Sequence, residues 1–247
     1  MREPKDRIIV ALDYSDLAPA LAMAELIGSR VGMLKVGLEL FNSAGLQAIH
    51  QLRERGARIF YDSKFYDIPN TAAGAAAAAG RMGVSMLNVH ALGGVAMMAA
   101  AREAAVEAAR SAGFAPPLVL GVTIVTSLGD REVQQELGIP STAGEAAIRL
   151  AKLAKEAGLD GVVASVHEVA AIKRACGTEF LAVTPGIRPS WAAVGDQTRV
   201  ATPREALSIG ADFLAVLVPV TTPKIRLYVH RTAYGSPGVN ELEVYGE

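Results

Sequence analysis

An alternation of short apolar segments with longer alanine-rich segments constrains the fold of this chain more than any other feature. Between the apolar segments lie amphipathic stretches such as LAPALAMAELIGSR and GEAAIRLAKLAKEAG, which predict helices. Strands that alternate with helices predict a parallel sheet, and strands that are apolar along nearly their whole length predict burial on both faces. Eight segments rich in Val, Ile and Leu predict the strands: IIVALD from Ile8, MLKVGLEL from Met33, RIFYDSK from Arg58, MLNVHA from Met86, LVLGVTIV from Leu118, GVVAS from Gly161, FLAVTPG from Phe180 and FLAVLVP from Phe213.

Eight such units in 247 residues predict an α/β protein, a single-domain (β/α)8 TIM barrel that spans residues 1–247. An open, doubly wound sheet is the alternative. No GxGxxG motif follows the first strand, so the main reason to prefer a dinucleotide-binding sheet is missing.

Composition limits the kinds of binding partner and the cellular location that we expect for this protein. A formal net charge of −1 argues against a surface that coats nucleic acid. The charged start MREPKDRIIVALD predicts no signal peptide, and no apolar run is long enough to predict a membrane span. The single cysteine, Cys176, precludes an intramolecular disulfide and favours a cytoplasmic location.

Polar and charged residues stand at the ends of the predicted strands. The active site of a (β/α)8 barrel lies at the carboxyl ends of its strands, so we expect these side chains to meet at one mouth. In chain order they are Asp13, Lys35 within the second strand, Asp62 and Lys64 with Asp67 in the following loop, His90, Thr126 with Ser127, and Arg188. The polar region from Ser127 to Ala143 follows the fifth strand and predicts an active-site loop.

The Asp62–Lys64 pair is the most informative of these features. Side chains alternate across a strand, so Asp62, Lys64 and the more interior Phe60 are expected to share one face. Pro69 suits the first turn of the next helix, which places Asp67 near the mouth. Carboxylates around Lys64 keep it protonated, and a charged ammonium beside a reacting carbon is a proton donor. The alternative is a solvated surface ion pair, which contributes little to stability.

The histidines give weaker signals. His90 ends the fourth strand and is interpreted as a hydrogen-bonded structural histidine rather than a catalytic one. His50, His167 and His230 share no spacing typical of a metal site, and one cysteine makes a cysteine-based site improbable. The sequence therefore predicts no metal ion.

The segment DSKFYDIPNT, residues 62–71, resembles the Asp-x-Lys-x-x-Asp-Ile-Pro-x-Thr signature of orotidine 5′-phosphate decarboxylases. Ser63 and Tyr66 stand where that family usually has Leu and His, but neither is a signature position. Further segments from Ile8 to about Asp212 follow in the family's order: IIVALD, LKVGLEL, NVHALGG, TIVTSL, DGVVAS, VTPGIRP, GDQTRVATP and ALSIGADF.

The resemblance implies an activity and a chemical step. The expected reaction is decarboxylation of orotidine 5′-monophosphate to uridine 5′-monophosphate in de novo pyrimidine biosynthesis, without metal or organic cofactor. Lys35, Asp62, Lys64 and Asp67 are implied to form an alternating charge array, with Asp67 supplied by the partner subunit of a homodimer. Lys64 is implied to protonate C6 of the pyrimidine, and Asp62 to lie against the substrate carboxylate.

The resemblance also implies how the nucleotide is held. Asp13 is expected to contact the ribose, Arg188 and Gln197 to hold the phosphate, and Thr126 and Ser127 to meet the pyrimidine. Thr71, the last position of the signature, is expected among the substrate-binding residues.

The chain departs from the family in its last predicted strand and tail, residues 217–247. The family usually has Gly-Arg-Pro where this chain has Leu217-Val218-Pro219, and the expected alanine-rich closing helix is absent from the sequence. Valine cannot replace the charged fork with which arginine grips a phosphate. Either Lys224, Arg226 or Arg231 compensates, or the tail is altered, for instance by a frameshift near this point.

Two other functions remain open at this stage. A magnesium-dependent sugar-phosphate decarboxylase or aldolase of the same superfamily shares the Asp-x-Lys-x-x-Asp pattern, whereas the continuation IPNT and the segment TPGIRP favour the nucleotide enzyme. A non-catalytic barrel that binds a phosphate ligand is the second alternative, and the intact lysines and aspartates argue against it.

Overall fold

Eight parallel strands close into a barrel in the computed structural model, which describes residues 4–187, 201–217, 224–228 and 241–245. Each strand pairs with the next in chain order, and β8 pairs with β1, with Val216 opposite Val10. Closure confirms the predicted TIM barrel and excludes the open sheet. The strands are β1 Ile8–Ala11, β2 Met33–Val36, β3 Ile59–Phe65, β4 Met86–His90, β5 Leu118–Val122, β6 Gly161–Val163, β7 Leu181–Ile187 and β8 Phe213–Leu217.

Helices connect successive strands on the outside of the barrel. Thr142 and Thr202 begin α7 and α9 with capping boxes, each exchanging hydrogen bonds with a glutamate three residues later. Gly45 and Gly177 follow the ends of α2 and α8 with positive φ, the conformation that glycine adopts most easily. The helices are α1 Leu17–Ile27, α2 Leu38–Ala44, α3 Leu46–Glu54, α4 Pro69–Arg81, α5 Gly94–Ser111, α6 Asp130–Gln135, α7 Ala143–Glu156, α8 Val166–Cys176 and α9 Pro203–Ser208. None of the described helices is both long and apolar enough to cross a membrane.

The core has two parts, one inside the barrel and one between the strands and helices. The larger part lies outside the sheet, where alternate strand residues pack against the helices. The interior cluster fills the barrel beneath its mouth, so the barrel is a packed core rather than a pore. Its buried members are Ile9, Met33, Phe60, Met86, Leu120, Val183 and Phe213.

Several predicted element boundaries were wrong. The predicted strand MLKVGLEL ends at Val36, and its last three residues begin α2 after Gly37. A short apolar run cannot be assigned to strand or helix by periodicity alone, which explains this error. The polar region after β5 contains α6, whose Val133 is buried, so it is less irregular than its composition predicted.

The described part of the tail, residues 224–228 and 241–245, forms two strands. β9 Lys224–Tyr228 and β10 Glu241–Tyr245 form an antiparallel pair, with Leu227 opposite Leu242. This pair is separate from the barrel sheet.

Candidate active site

A cavity of about 290 Å³ opens at the carboxyl ends of the barrel strands. Its floor includes Phe60 of the interior cluster, and apolar residues of β5 to β8 form much of its wall. The structure places six of the predicted site residues in its lining: Asp13, Lys35, Asp62, Lys64, Thr126 and Ser127.

Four of these side chains form a chain of alternating charge. The Lys35 Nζ lies 3.1 Å from Asp13 Oδ1 and 3.3 Å from Asp62 Oδ2. The Lys64 Nζ lies 2.7 Å from Asp62 Oδ1. Asp62 therefore bridges two ammonium groups, one through each carboxylate oxygen.

The strand that carries Asp62 and Lys64 is irregular where the prediction assumed a regular pleat. The register between β3 and β4 shifts between Tyr61 and Phe65. Lys64 has a φ of 49°, and no other non-glycine residue in the described part of the chain has a positive φ. Such a conformation costs free energy and persists only where the surroundings hold it. Asp62 and Lys64 do share a face, but a distorted strand places them there.

Asn88 of β4 contributes to this array, although the sequence reasoning passed over it. Its Nδ2 donates to Asp62 Oδ1 at 2.7 Å, and its Oδ1 accepts from the backbone N–H of Lys64 at 2.7 Å. Its backbone carbonyl accepts from the Ser63 hydroxyl at 3.1 Å. A polar side chain inside the apolar segment MLNVHA was the available signal, because a buried amide requires hydrogen-bond partners.

Electrostatics hold the array in its charged form. Burial alone raises the pKa of the Asp62 carboxyl, but Lys35 and Lys64, with hydrogen bonds from Lys64 and Asn88, outweigh burial and bring that pKa below its ordinary value. Burial alone lowers the pKa of Lys35, but Asp62 and Asp13 outweigh it and raise that pKa. The carboxylate and the ammonium therefore both stay ionised at neutral pH.

Asp67 and Thr71 lie apart from the array within one chain. Both are exposed, and neither is among the described residues that line the cavity. The Asp67 carboxylate accepts a hydrogen bond from the backbone N–H of Ile68 at 2.7 Å. Tyr66 and Ile68 on either side of it are 61% and 68% exposed, so this turn presents apolar surface to its surroundings.

His90 lies at the end of β4, outside the set of described residues that line the cavity. Its Nδ1 accepts from the backbone N–H of Leu92 at 3.4 Å, and its ring centroid lies 5.5 Å from that of Tyr66. Burial and the charge of Lys64 lower the pKa of His90. The contacts are those of a neutral histidine that packs against its neighbours.

Arg188 and Gln197, predicted to hold a phosphate, lie outside the described residues, as do Val218 and the side chain of Leu217. Within the described ranges, no group of three or more His, Cys, Asp and Glu side chains is arranged to hold a metal ion.

A closed parallel barrel with a partly buried lysine–carboxylate array at its mouth defines a TIM-barrel enzyme that acts on a small molecule. Residues 6–222 match the Orotidine 5′-phosphate decarboxylase / HUMPS family. The chain belongs to that family.

Named relatives agree with this assignment. An orotidine 5′-phosphate decarboxylase of Moorella thermoacetica is 51% identical over 217 residues, which cover 88% of this chain and 86% of that protein. One from Alkalilimnicola ehrlichii is 51% identical over 215 residues, covering 87% and 89%. The crystal structure of orotidine 5′-phosphate decarboxylase from Lactobacillus acidophilus superposes with a TM-score of 0.75 at 36% identity, covering 87% of this chain and 90% of that one.

Proposed function

We propose that this protein decarboxylates orotidine 5′-monophosphate to uridine 5′-monophosphate in pyrimidine biosynthesis. The observation that carries the proposal is the array Asp13–Lys35–Asp62–Lys64 within the cavity, in a chain about half identical to proteins named for that activity. The array supplies a cation where the reaction develops negative charge.

Lys64 acts as the proton donor. When the bond between C6 and the carboxylate breaks, its electron pair stays on C6 and carbon dioxide leaves. The Lys64 ammonium delivers a proton to C6 and is reprotonated from solvent. Among the described residues its Nζ donates to one acceptor, Asp62, so two of its three N–H donors remain for the substrate.

Asp62 places negative charge beside the substrate carboxylate. The repulsion raises the free energy of the bound substrate and disappears as carbon dioxide leaves. Asp62 also holds both lysines in position through its two oxygens. Asp13 contacts the ribose, while Thr126 and Ser127, which also line the cavity, meet the pyrimidine.

A turnover assay tests the function. Decay of the substrate's ultraviolet absorbance is followed with purified protein, with and without a chelator, and with added magnesium. The lysines of the array supply the positive charge that a metal ion would otherwise supply, so we expect equal rates in all three conditions. Activity that is lost in chelator and restored by magnesium favours the sugar-phosphate enzyme, and binding without turnover favours the non-catalytic barrel.

We also propose a homodimer in which Asp67 reaches the partner's cavity, with Thr71 among the residues that bind the substrate. Asp67 is exposed between Tyr66 and Ile68, on a turn that presents apolar surface, and Thr71 is exposed in the first turn of α4. Asp67→Ala and Lys64→Ala proteins are each expected to be inactive. After subunit exchange their mixture should regain about a quarter of wild-type activity, because half of the dimers then carry one intact site of two. No recovery after demonstrated exchange contradicts the shared site.

We assign the phosphate contacts to Arg188 and Gln197. We expect the phosphate to bind more weakly than in the rest of the family, because Leu217-Val218 stand where the family usually has Gly-Arg. Loss of one charge-assisted contact lowers kcat/KM by roughly tenfold to a hundredfold. The double change Leu217→Gly with Val218→Arg should recover that factor. If kcat/KM does not change, other groups already hold the phosphate, and Lys224 and Arg226 are the first to replace.

The cytoplasm is the setting we propose. The one cysteine of the chain, Cys176, is buried and free, as expected in a reducing compartment.

A further inference from the structure

Asn88 is a buried amide that no catalytic step described so far uses. It is fully buried in the middle of β4 and is not among the described residues that line the cavity, so it lies behind the array rather than against the cavity. A buried amide in an otherwise apolar strand costs free energy unless its polar atoms are bonded. Both ends of this one are bonded, and both bonds go to the catalytic segment of β3.

The two bonds allow only one orientation of the amide. The backbone N–H of Lys64 needs an acceptor, which only Oδ1 supplies, and the Asp62 carboxylate needs a donor, which only Nδ2 supplies. A rotation of 180° turns both contacts into repulsions. The side chain therefore recognises Asp62 and Lys64 together, and it spans the irregularity between β3 and β4.

The hydrogen bond that Asn88 accepts from a backbone N–H involves Lys64, the one non-glycine residue of positive φ in the described chain. Lys64 adopts this conformation at the point where its side chain turns toward Asp62 Oδ1. The N–H that the distorted strand no longer pairs with a neighbouring carbonyl is satisfied by Asn88. Asn88 thus offsets part of the free-energy cost of the backbone conformation that directs the Lys64 ammonium toward Asp62.

We propose that Asn88 is a positioning residue for the decarboxylation: it holds the Asp62 carboxylate and the Lys64 backbone in the geometry from which Lys64 delivers its proton. This inference rests on the proposed function for the step that it serves. It assigns Asn88 no contact with substrate, so loss of its side chain acts on the chemical step rather than on binding.

The charged groups around Asp62 determine how its ionisation responds to a change at position 88. Lys35 faces it from β2 and Lys64 from its own strand, while Asp13 lies beyond Lys35 and His90 lies near Lys64 at the end of β4. Asn88 adds a hydrogen bond to the ionised form. Its removal therefore raises the pKa of Asp62 and moves the acidic limb of the kcat–pH profile upward.

The test compares Asn88→Ala and Asn88→Asp with Ser63→Ala. Alanine removes both bonds, whereas aspartate keeps an acceptor for the Lys64 N–H and loses the donor to Asp62. We expect kcat to fall about tenfold to a hundredfold in both, as for the loss of a hydrogen bond to a charged group, with KM within about threefold. Ser63→Ala also loses a buried hydrogen bond between β3 and β4, but leaves Asp62 and Lys64 untouched, and should keep wild-type kcat.

The proposal is overturned if both Asn88 variants keep kcat within about threefold of wild type, or if Ser63→Ala loses as much as Asn88→Ala. A titration of the Asp62 carboxyl by carbon-13 NMR, assigned with Asp62→Asn, gives a readout that does not need turnover. A pKa of Asp62 that rises in Asn88→Ala supports the positioning role, and an unchanged one contradicts it. If the wild-type protein does not turn over orotidine monophosphate, the proposed function fails while this titration still decides the role of Asn88.

Discussion

Two lysine–aspartate pairs lie at opposite ends of the barrel and differ in how their hydrogen bonds are used. At the carboxyl end, the Lys64 Nζ lies 2.7 Å from Asp62. At the amino end, where β8 begins, the Lys173 Nζ lies 2.6 Å from Asp212. The Lys173 Nζ also donates to the carbonyls of Thr178 and Phe180, each at 2.8 Å, so its three N–H donors are all engaged.

The comparison shows that a short ion-pair distance does not identify a catalytic lysine. Lys173 has no donor left for a ligand, and its side chain is 12% exposed. Lys64 has one acceptor among the described residues, is 34% exposed and faces the cavity. Unused donors that point into a cavity distinguish the functional pair from the structural one.

Lys64→Ala removes the lysine of the catalytic pair, and of the changes considered it has the largest expected effect. General acid catalysis accounts for about 100-fold to 10,000-fold of a typical rate, so kcat should fall by at least that factor. The folded protein should persist, as far-ultraviolet circular dichroism can show. The matched change Lys173→Met should leave kcat of the folded protein unaltered. Comparable losses of kcat in the two variants contradict the distinction.

Lys173→Met should instead reduce stability. It removes the ammonium that donates to Asp212 and to the carbonyls of Thr178 and Phe180. We expect the free energy of unfolding to fall by about 1–3 kcal/mol, because the ion pair with Asp212 and the hydrogen bond to Phe180 are partly buried. Urea unfolding of the two proteins measures this difference. An unchanged midpoint means that the pair at the amino end contributes nothing to stability.

Acid should lower the free energy of unfolding by protonating Asp62. Its pKa in the folded protein is below the ordinary value of 3.8, so the ionised carboxylate contributes stability that is fully present above pH 3.8 and is lost as the pH falls through the folded value. The stability gap between wild type and Asp62→Asn should therefore be largest near neutral pH and narrow in acid. Urea unfolding from pH 7 to pH 3 checks the direction, and a gap that widens in acid contradicts it.

Gly37→Ala tests the position of Lys35 in the array and is expected to change activity the least of these variants. A Cβ at this position lies 3.1 Å from Lys35 Nζ and 3.5 Å from Asp13 Oδ1, so the ammonium must move by a few tenths of an ångström. Misplacement on this scale should lower kcat/KM about twofold to tenfold. Gly144→Ala is the control, because its Cβ meets nothing within 4 Å. Equal activity of the two variants shows that Lys35 has room to adjust.

The sequence alone predicted the order of elements and the charged residues of the cavity lining. Apolar runs, helix caps and the Asp-x-Lys spacing are local patterns, and a closed barrel brings the carboxyl ends of its strands to one mouth. Asp13, Lys35, Asp62 and Lys64 therefore meet in one cavity, as expected from their places at strand ends. The boundaries of β2 and α2 could not be predicted, because an apolar run fits either element.

Only the tertiary structure revealed how Asp62 and Lys64 are held. The positive φ of Lys64 arises where the register of β3 shifts against β4, and Asn88 satisfies the displaced N–H from the neighbouring strand. These interactions join residues more than 20 positions apart, so no local pattern encodes them. The exposed positions of Asp67 and Thr71 likewise follow from the packing of the loop and α4 outside the cavity. Local sequence therefore determined which residues reach the mouth, and strand pairing decided the geometry in which they are fixed.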